Sequence, residues 1–535
     1  MKNALTKGIS LVMVMALLMM ALAGCGTNPT GAQQTTAAAA ADAGAGGAAA
    51  KDHLTVLVIV EPPSLFPGSF PSTGNPQTLI GNLYDTLVYE ANGDRTTLLP
   101  GLASSWEFNE DGTVLTMEIR DGVKFHDGSE LTAEDVAFSL NIDRDQAYNA
   151  NFTSILEGFE VVDEKHVAVK LSYAYKPVLS ILAMPSFSIF SKAWYEKCQA
   201  EGTNLDRTEM GTGPYKLASW TSGESLEYEA FEDWWGGDVA IKKVTVKIYG
   251  DATTAGLAME QGEGELFFGA STADCARLDA KDGITVVYVP SNGTHYITYN
   301  MNPEYGSIFM DKNARKAAQA AINRDEILLG GLDGIGWVTP YMVNMGHFGY
   351  IEDFEPAPYD PEKAKEYLAA SGYDGSPVIF KAANSSWYQL PAQVKQEQLR
   401  TVGFNVDLQI QERATIDDEA RTKFDCDMFN WMTWGAVPDA DADVWKFLRT
   451  DTRGVAFANV GWAGNEEVDE LLEKARYSLD DEERIAIYKQ IAEINEEEAW
   501  YTFTITGTNT VVVNDSLKGF EPNEGQVYKF SFWSF

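Results

Sequence analysis

The chain has 535 residues, 45% of them hydrophobic and 12% aromatic, which is enough apolar material for a large core in more than one lobe. A formal net charge of −38 disfavours nucleic acid and anionic lipid headgroups as partners. Four cysteines with no CxxC pair exclude a disulfide scaffold; free, buried thiols are expected.

At the N-terminus, Lys2 and Lys7 precede an apolar run over 9–22, a charged region followed by a stretch too short to span a bilayer stably. It ends in Leu22-Ala23-Gly24-Cys25, which resembles a lipobox. That resemblance implies a lipoprotein signal peptide over 1–24 and a mature chain tethered by acylated Cys25. Two acyl chains hold a protein at a membrane where one is marginal. Residues 25–51 are Ala, Gly, Thr, Gln and Pro with few large apolar side chains, so a flexible linker is expected.

The β-branched run 55–60 predicts a first buried strand, and the prolines of EPPSLFP (61–67) a rigid extended turn after it. Leucines at helical spacing predict a helix over 77–88. Residues 106–108 and 113–120 alternate as strands around a turn at 109–112. Thr132, with Asp135 three residues on, predicts a capped helix start. Strands are expected at 226–230 and 243–249, and a short helix at 253–261. Further helices are expected at 314–329, 361–370 (Pro361 in its first turn) and 394–401. A strand follows at 404–410, then two acidic amphipathic helices at 466–477 and 481–498, and a last strand at 501–513. Trp387 and Tyr388 fall in a predicted loop. The whole is mixed α/β, with a chain that leaves one lobe and returns to it.

The segment 99–140 (LPGLASSWEFNEDGTVLTMEIRDGVKFHDGSELTAEDVAFSL) resembles the signature of the extracellular solute-binding proteins that serve oligopeptide and dipeptide ABC importers. EPPSLFP (61–67), NLYDTLV (82–88), GTGPYKL (211–217) with DWWGG (233–237), NARKAAQAAINRDEI (313–327), YDPEKAKEYL (359–368) and 468–491 are similar to further stretches of that family, in order. The resemblance implies an α/β, two-lobed periplasmic-binding-protein-like fold with an extra domain inserted in the first lobe. It implies lobe I over 52–92, 205–300 and 505–535, the inserted domain over 93–204 and lobe II over 301–504. The function implied is capture of a solute, a peptide first, in an interlobe cleft, with delivery to ABC permease subunits in the membrane. The site is then the extracellular face of the cell membrane, or the periplasm in a host with an outer membrane. A monomer is expected, with no cofactor, no metal and no nucleic acid.

Candidate solute contacts follow from the same resemblance. Peptide receptors of the family pair the ligand amine with an Asp shortly after a Trp-rich strand. In this chain the stretch is WMTWGAVPDAD (431–441), and counting from Trp434 places Val437 where that Asp is expected. Asp439 or Asp441 remains as a substitute, and Asp439 is preferred. Trp434 is the expected pocket aromatic. Trp431, three residues away, would face the other side of a strand. Glu61 and Pro63 are expected on the cleft floor, with Tyr296, Asn300 and Trp387 as further contacts. The alternatives are an oligosaccharide or other non-peptide solute, a peptide-signal receptor, and, in a different class, a secreted hydrolase. The five histidines have no metal-ligand spacing, and no HExxH, GxSxG or GxxxxGK[ST] occurs. His126 is expected only to hydrogen-bond its own loop.

Overall fold

A computed structural model describes residues 51–69, 75–422, 424–433, 435–455 and 458–535. The signal peptide, the linker as far as residue 50, Cys25 and Trp434 lie outside the described residues.

The backbone of the molecule is one eleven-stranded sheet. Across it run Val406–Gln411, Val378–Ala383, Met428–Met432, Ile284–Tyr299, Tyr501–Asn514, Leu266–Phe268, His53–Val58, Lys243–Ile248, Ser225–Ala230 and Tyr215–Thr221, with Trp337–Val338 paired to the side of Tyr501–Asn514. The β-branched first strand lies in the interior, parallel to both Lys243–Ile248 and Leu266–Phe268. At the other end Val378–Ala383 is parallel to both of its neighbours. Between these ends, Ile284–Tyr299 and Tyr501–Asn514 pair antiparallel along nearly their whole length.

Those two long strands pass from one apolar core to another. Val289, Val511 and Val513 belong to the core under His53–Val58, together with Leu54, Val56 and Val244. Ile297, Tyr299 and Ile505 belong to a second core, with Phe380, Val406 and Met428. Tyr296, Tyr501 and Phe503 join a third core, built on the helices Glu466–Tyr477 and Asp481–Glu498. The change falls where the ladder shifts register, between Pro290 and Tyr296. Gly293 sits in that interval, and a Cβ there would stand 2.2 Å from the Thr433 carbonyl oxygen. Only a residue without a side chain allows the strands to approach so closely.

A separate four-stranded antiparallel sheet is formed by Ala103–Phe108, Val114–Ile119, His166–Leu171 and Leu156–Val161. It packs Leu115, Met117, Val167 and Val169 against Val136 and Leu140 of the helix Ala133–Arg144. That helix starts with the expected reciprocal cap: Thr132 Oγ1 accepts from the Asp135 N–H at 3.2 Å, and the Asp135 carboxylate accepts from the Thr132 N–H at 3.0 Å.

Three predicted elements differ. The expected helix over 77–88 is confined to Asn75–Ile80. Beyond it the chain turns to meet the GTG segment: the Gly213 N–H donates to the Leu83 carbonyl at 3.1 Å, and a Cβ on Gly211 would collide with that carbonyl at 2.2 Å. The expected helix over 314–329 is two, Lys312–Ala320 and Arg324–Leu332, because Asn323 accepts from the Glu326 N–H and caps a new start. Trp387 and Tyr388 lie not in a loop but in the first turn of the helix Ser386–Val402. Cys198, Cys275 and Cys426 are free and buried, as expected. His126 does not bond within its own loop but fastens that loop to the 209–213 segment, with Nδ1 2.7 Å from Glu209 and Nε2 3.0 Å from the Gly213 carbonyl.

Candidate functional site

A cavity of about 860 Å³ lies between the four-stranded sheet domain and the body built on Met428–Met432 and Ala440–Leu448. Two periodicities build its wall. In the strand Met428–Met432, Phe429 and Trp431 point the same way and line the cavity, while Met428 and Asn430 turn into the protein. In the helix Ala440–Leu448, Asp441, Ala442, Trp445 and Lys446 share the cavity face at one-turn spacing. Val444 and Leu448 face the core. Tyr296, Tyr388 and Arg413 close one side, and Tyr173, Tyr175 and Arg476 the other.

The wall is aromatic. Trp431 stacks on Phe429 at 4.9 Å between centroids and lies 5.3 Å from Tyr388. The Arg413 guanidinium sits 4.3 Å over Trp431 and donates to the Tyr388 hydroxyl at 2.9 Å. Tyr296 meets Phe447 edge-on. Such faces offer apolar contact and stacking to a solute of either chain or ring shape.

Asp441 is the one carboxylate among the described cavity-lining residues, and it is engaged. Arg476 grips it with Nε at 2.9 Å and a terminal nitrogen at 2.7 Å, and the Tyr175 hydroxyl donates to it at 3.1 Å. The same guanidinium sits over Trp445, 3.1 Å from the ring centroid. Asp443, on the opposite helix face, accepts from Asn344 and contacts His347 Nδ1 at 2.8 Å. His347 Nε2 is 3.1 Å from Asn292 Oδ1, in the strand interval where the cores change. The cavity helix is thereby tied to the crossing strands.

The predicted contacts are distributed as follows. Tyr296 lies in the cavity wall. Asp439 does not: it is 3% exposed, caps the helix by accepting from the Asp441 N–H, and pairs with Arg484 at 2.6 Å. Burial pushes its pKa up, and Arg484 pulls against that. Val437 is buried, lines the cavity and joins the apolar core of the four-stranded sheet domain. Asn300 is fully buried, donating to the carbonyls of Phe424 and Cys426 at 2.9 Å each. Trp387 covers Gly507 and stacks parallel to His295; its neighbour Tyr388 is the one that reaches the cavity. Glu61 accepts from Trp220 Nε1, Ser222, Gly223 and Arg207, beside a recess distinct from this cavity. Burial raises the Glu61 pKa, but those donors outweigh it and hold it below the usual range. Pro63 is exposed in the turn after the first strand.

Tyr173, Tyr175, Arg413, Lys446 and Arg476 were not among the expected contacts. The i, i+4 pairs 441/445 and 442/446 were readable in sequence once a helix was assigned at 440–448. Among the described residues no group of three or more His, Cys, Asp or Glu could hold a metal ion, and no helix is long and apolar enough to cross a membrane.

Comparison with known proteins places these features. Residues 97–454 match the bacterial extracellular solute-binding proteins, family 5 Middle. The chain is 26% identical over 552 residues to the oligopeptide-binding protein AppA of Bacillus subtilis, a match covering 98% of this chain and 97% of that protein. It is 25% identical over 471 residues to heme-binding protein A of Haemophilus influenzae, covering 82% and 84%. The solved structure of HbpA2 from Haemophilus parasuis superposes with a TM-score of 0.82 over 90% of this chain and 99% of that one, at 24% identity.

Proposed function

This chain belongs to the bacterial extracellular solute-binding proteins of family 5, binding components of ABC importers for peptides and similar solutes, and from that premise we propose how it works. It is a binding protein and not an enzyme. The solute, a peptide first, occupies the aromatic cavity between the four-stranded sheet domain and the helix Ala440–Leu448. Cys25 carries the lipid that holds the protein at the outer face of the membrane, and the closed, loaded form docks on a permease.

The supporting observation is the cavity's position. One wall rests on the core of the four-stranded sheet domain and the other mainly on the core behind Val444 and Leu448, the two meeting where Val437 packs into the first, and the strands that carry the chain between cores change register beside it. Such a cavity opens when the walls part and closes over what it holds. The solute shifts that equilibrium only by its differential affinity for the two forms. Trp431, Tyr388 and Tyr296 supply stacking area, and Val437 replaces a charged contact with an apolar one.

Native mass spectrometry and tryptophan fluorescence with peptide libraries test this. A retained peptide released uncut, with Trp431→Ala weakening it by about tenfold, is the expected outcome. Retention only of oligosaccharides or other ring solutes would move the solute class while leaving the cavity in place. Loss of acylation in Cys25→Ser, read by mass, tests the anchor.

A further inference from the structure

We infer that the solute brings a carboxylate into this cavity and sets it against Lys446. The inference rests on the reading of the cavity as the solute site and goes beyond it by fixing the sign of the recognised charge.

The cavity wall holds three cations, Arg413, Lys446 and Arg476, against the single carboxylate of Asp441 among the described residues. The protein as a whole carries −38, so the cavity is a local reversal of its own field. Two of the three cations are engaged within the protein. Arg476 is bidentate on Asp441, and Arg413 donates to Tyr388 and covers Trp431.

Lys446 is different. Its ammonium has no hydrogen bond or ion pair with any described residue; its one close contact is the ring of Phe447, 5.1 Å away. The nearest acid on its helix, Asp443, lies three residues earlier and lends it a field, but its carboxylate is bonded by Asn344 and in contact with His347 and makes no bond to the ammonium. Burial accordingly pulls the lysine's pKa down, and the partial field of Asp443 only offsets this. A half-buried lysine in an aromatic cavity costs free energy unless an anion arrives to pair with it.

The converse holds for a cation. A solute ammonium has only Asp441 to turn to, and reaching it means displacing a bidentate arginine that would then be left without its partner. Breaking such a pair is strongly unfavourable, because it leaves a buried charge uncompensated. The side chain at 437, where an acid would meet an amine, is a valine already packed into apolar core. The carboxylate end of a peptide, or an acidic side chain, fits this wall; its amino end does not.

The test uses the full chain and three matched tetrapeptide libraries: free at both ends, acetylated at the amine, and amidated at the carboxyl end. Only sequences without Asp or Glu are included. The expected result is retention of the free and acetylated libraries alike, with at least tenfold weaker binding of the amidated one. Lys446→Met should abolish that difference and Lys446→Arg should keep it. Equal retention of amidated and free-carboxylate peptides by the native chain would overturn the inference while leaving the peptide reading standing, and needs no variant that folds. Preference for a free amine would overturn it equally. Retention of no library overturns the peptide reading and the inference with it.

Discussion

Asp439 and Asp441 are two residues apart at the start of one helix, and only Asp441 reaches the cavity. Asp439 is sealed behind the cavity wall, held by Arg484, whose guanidinium also lies 4.7 Å over Phe348. Replacing it strands that buried cation and removes a helix cap. Asp439→Ala should therefore lower stability by about 3–5 kcal/mol in urea unfolding. A loss below about 1 kcal/mol, as for a solvated turn residue, would contradict this placement. Asp143 carries a different liability. It is buried in the helix Ala133–Arg144 with neither carboxylate oxygen hydrogen-bonded among the described residues, and burial lifts its pKa well above the usual range. The folded chain thus keeps a proton that the unfolded chain has given up. Stability must fall as pH rises through that raised value, and it is unpenalised below the ordinary Asp range. Asp143→Asn should gain about 1–3 kcal/mol at pH 8 and nearly nothing at pH 4, read from melting curves at both pH values. Neither role is legible in sequence, where each is one acid among 78. What an acid does is set by the long-range partners that the fold brings or fails to bring.

At the scale of elements, local signals were readable wherever one element carries its own start and stop. Glu466–Tyr477 and Asp481–Glu498 follow their apolar periodicity and Asx caps to the residue, and Thr132 with Asp135 marks a helix start without tertiary help. The failures are positions where another segment intervenes. The helix over 77–88 stops early because the GTG strand entry needs the Leu83 carbonyl. The strand Ile284–Tyr299 was not among the expected elements, because Pro290, Asn292 and Gly293 interrupt the pattern at the register shift. That interruption is what lets one strand serve three cores. Gly293→Ala should place a methyl group against the Thr433 carbonyl and Met432, and so cost about 1–3 kcal/mol in urea unfolding. A neutral effect would mean that the crossing strands separate there without loss. The cavity was half legible for a related reason. The Trp-rich strand announced an aromatic wall, but the partners facing it, Tyr173 and Tyr175, lie more than 250 residues earlier, which no local pattern connects.

Across the whole molecule, the cavity's two sides are joined by contacts that the proposed opening would have to break. The Tyr175 hydroxyl donates to Asp441, and Tyr173 meets Tyr477 edge-on with centroids 5.1 Å apart. Beside them, Lys176 reaches Asp481 at 2.7 Å and donates to the Leu479 carbonyl. All three belong to the SYAYKP segment that follows the four-stranded sheet, and all grip the helical body across the cavity mouth. Among them the Tyr175–Asp441 bond is the one drawn most fully out of water, whereas the Lys176 pair is partly exposed and screened by salt. Removing the Tyr175 hydroxyl leaves its ring in place and takes one hydrogen bond, worth about 0.5–1.5 kcal/mol, from the closed form alone. The closed-to-open ratio should then fall by about two- to tenfold, and the apparent affinity for solute with it. Tyr175→Phe is accordingly expected to enlarge the solute-free particle in small-angle scattering and to speed solute release in stopped-flow tryptophan fluorescence. Lys176→Met should do so more weakly, and less at high salt. If Tyr175→Phe leaves both the scattering curve and the release rate unchanged, this bond does not hold the cavity shut, and closure must be carried by the apolar packing of Val437 into the facing core.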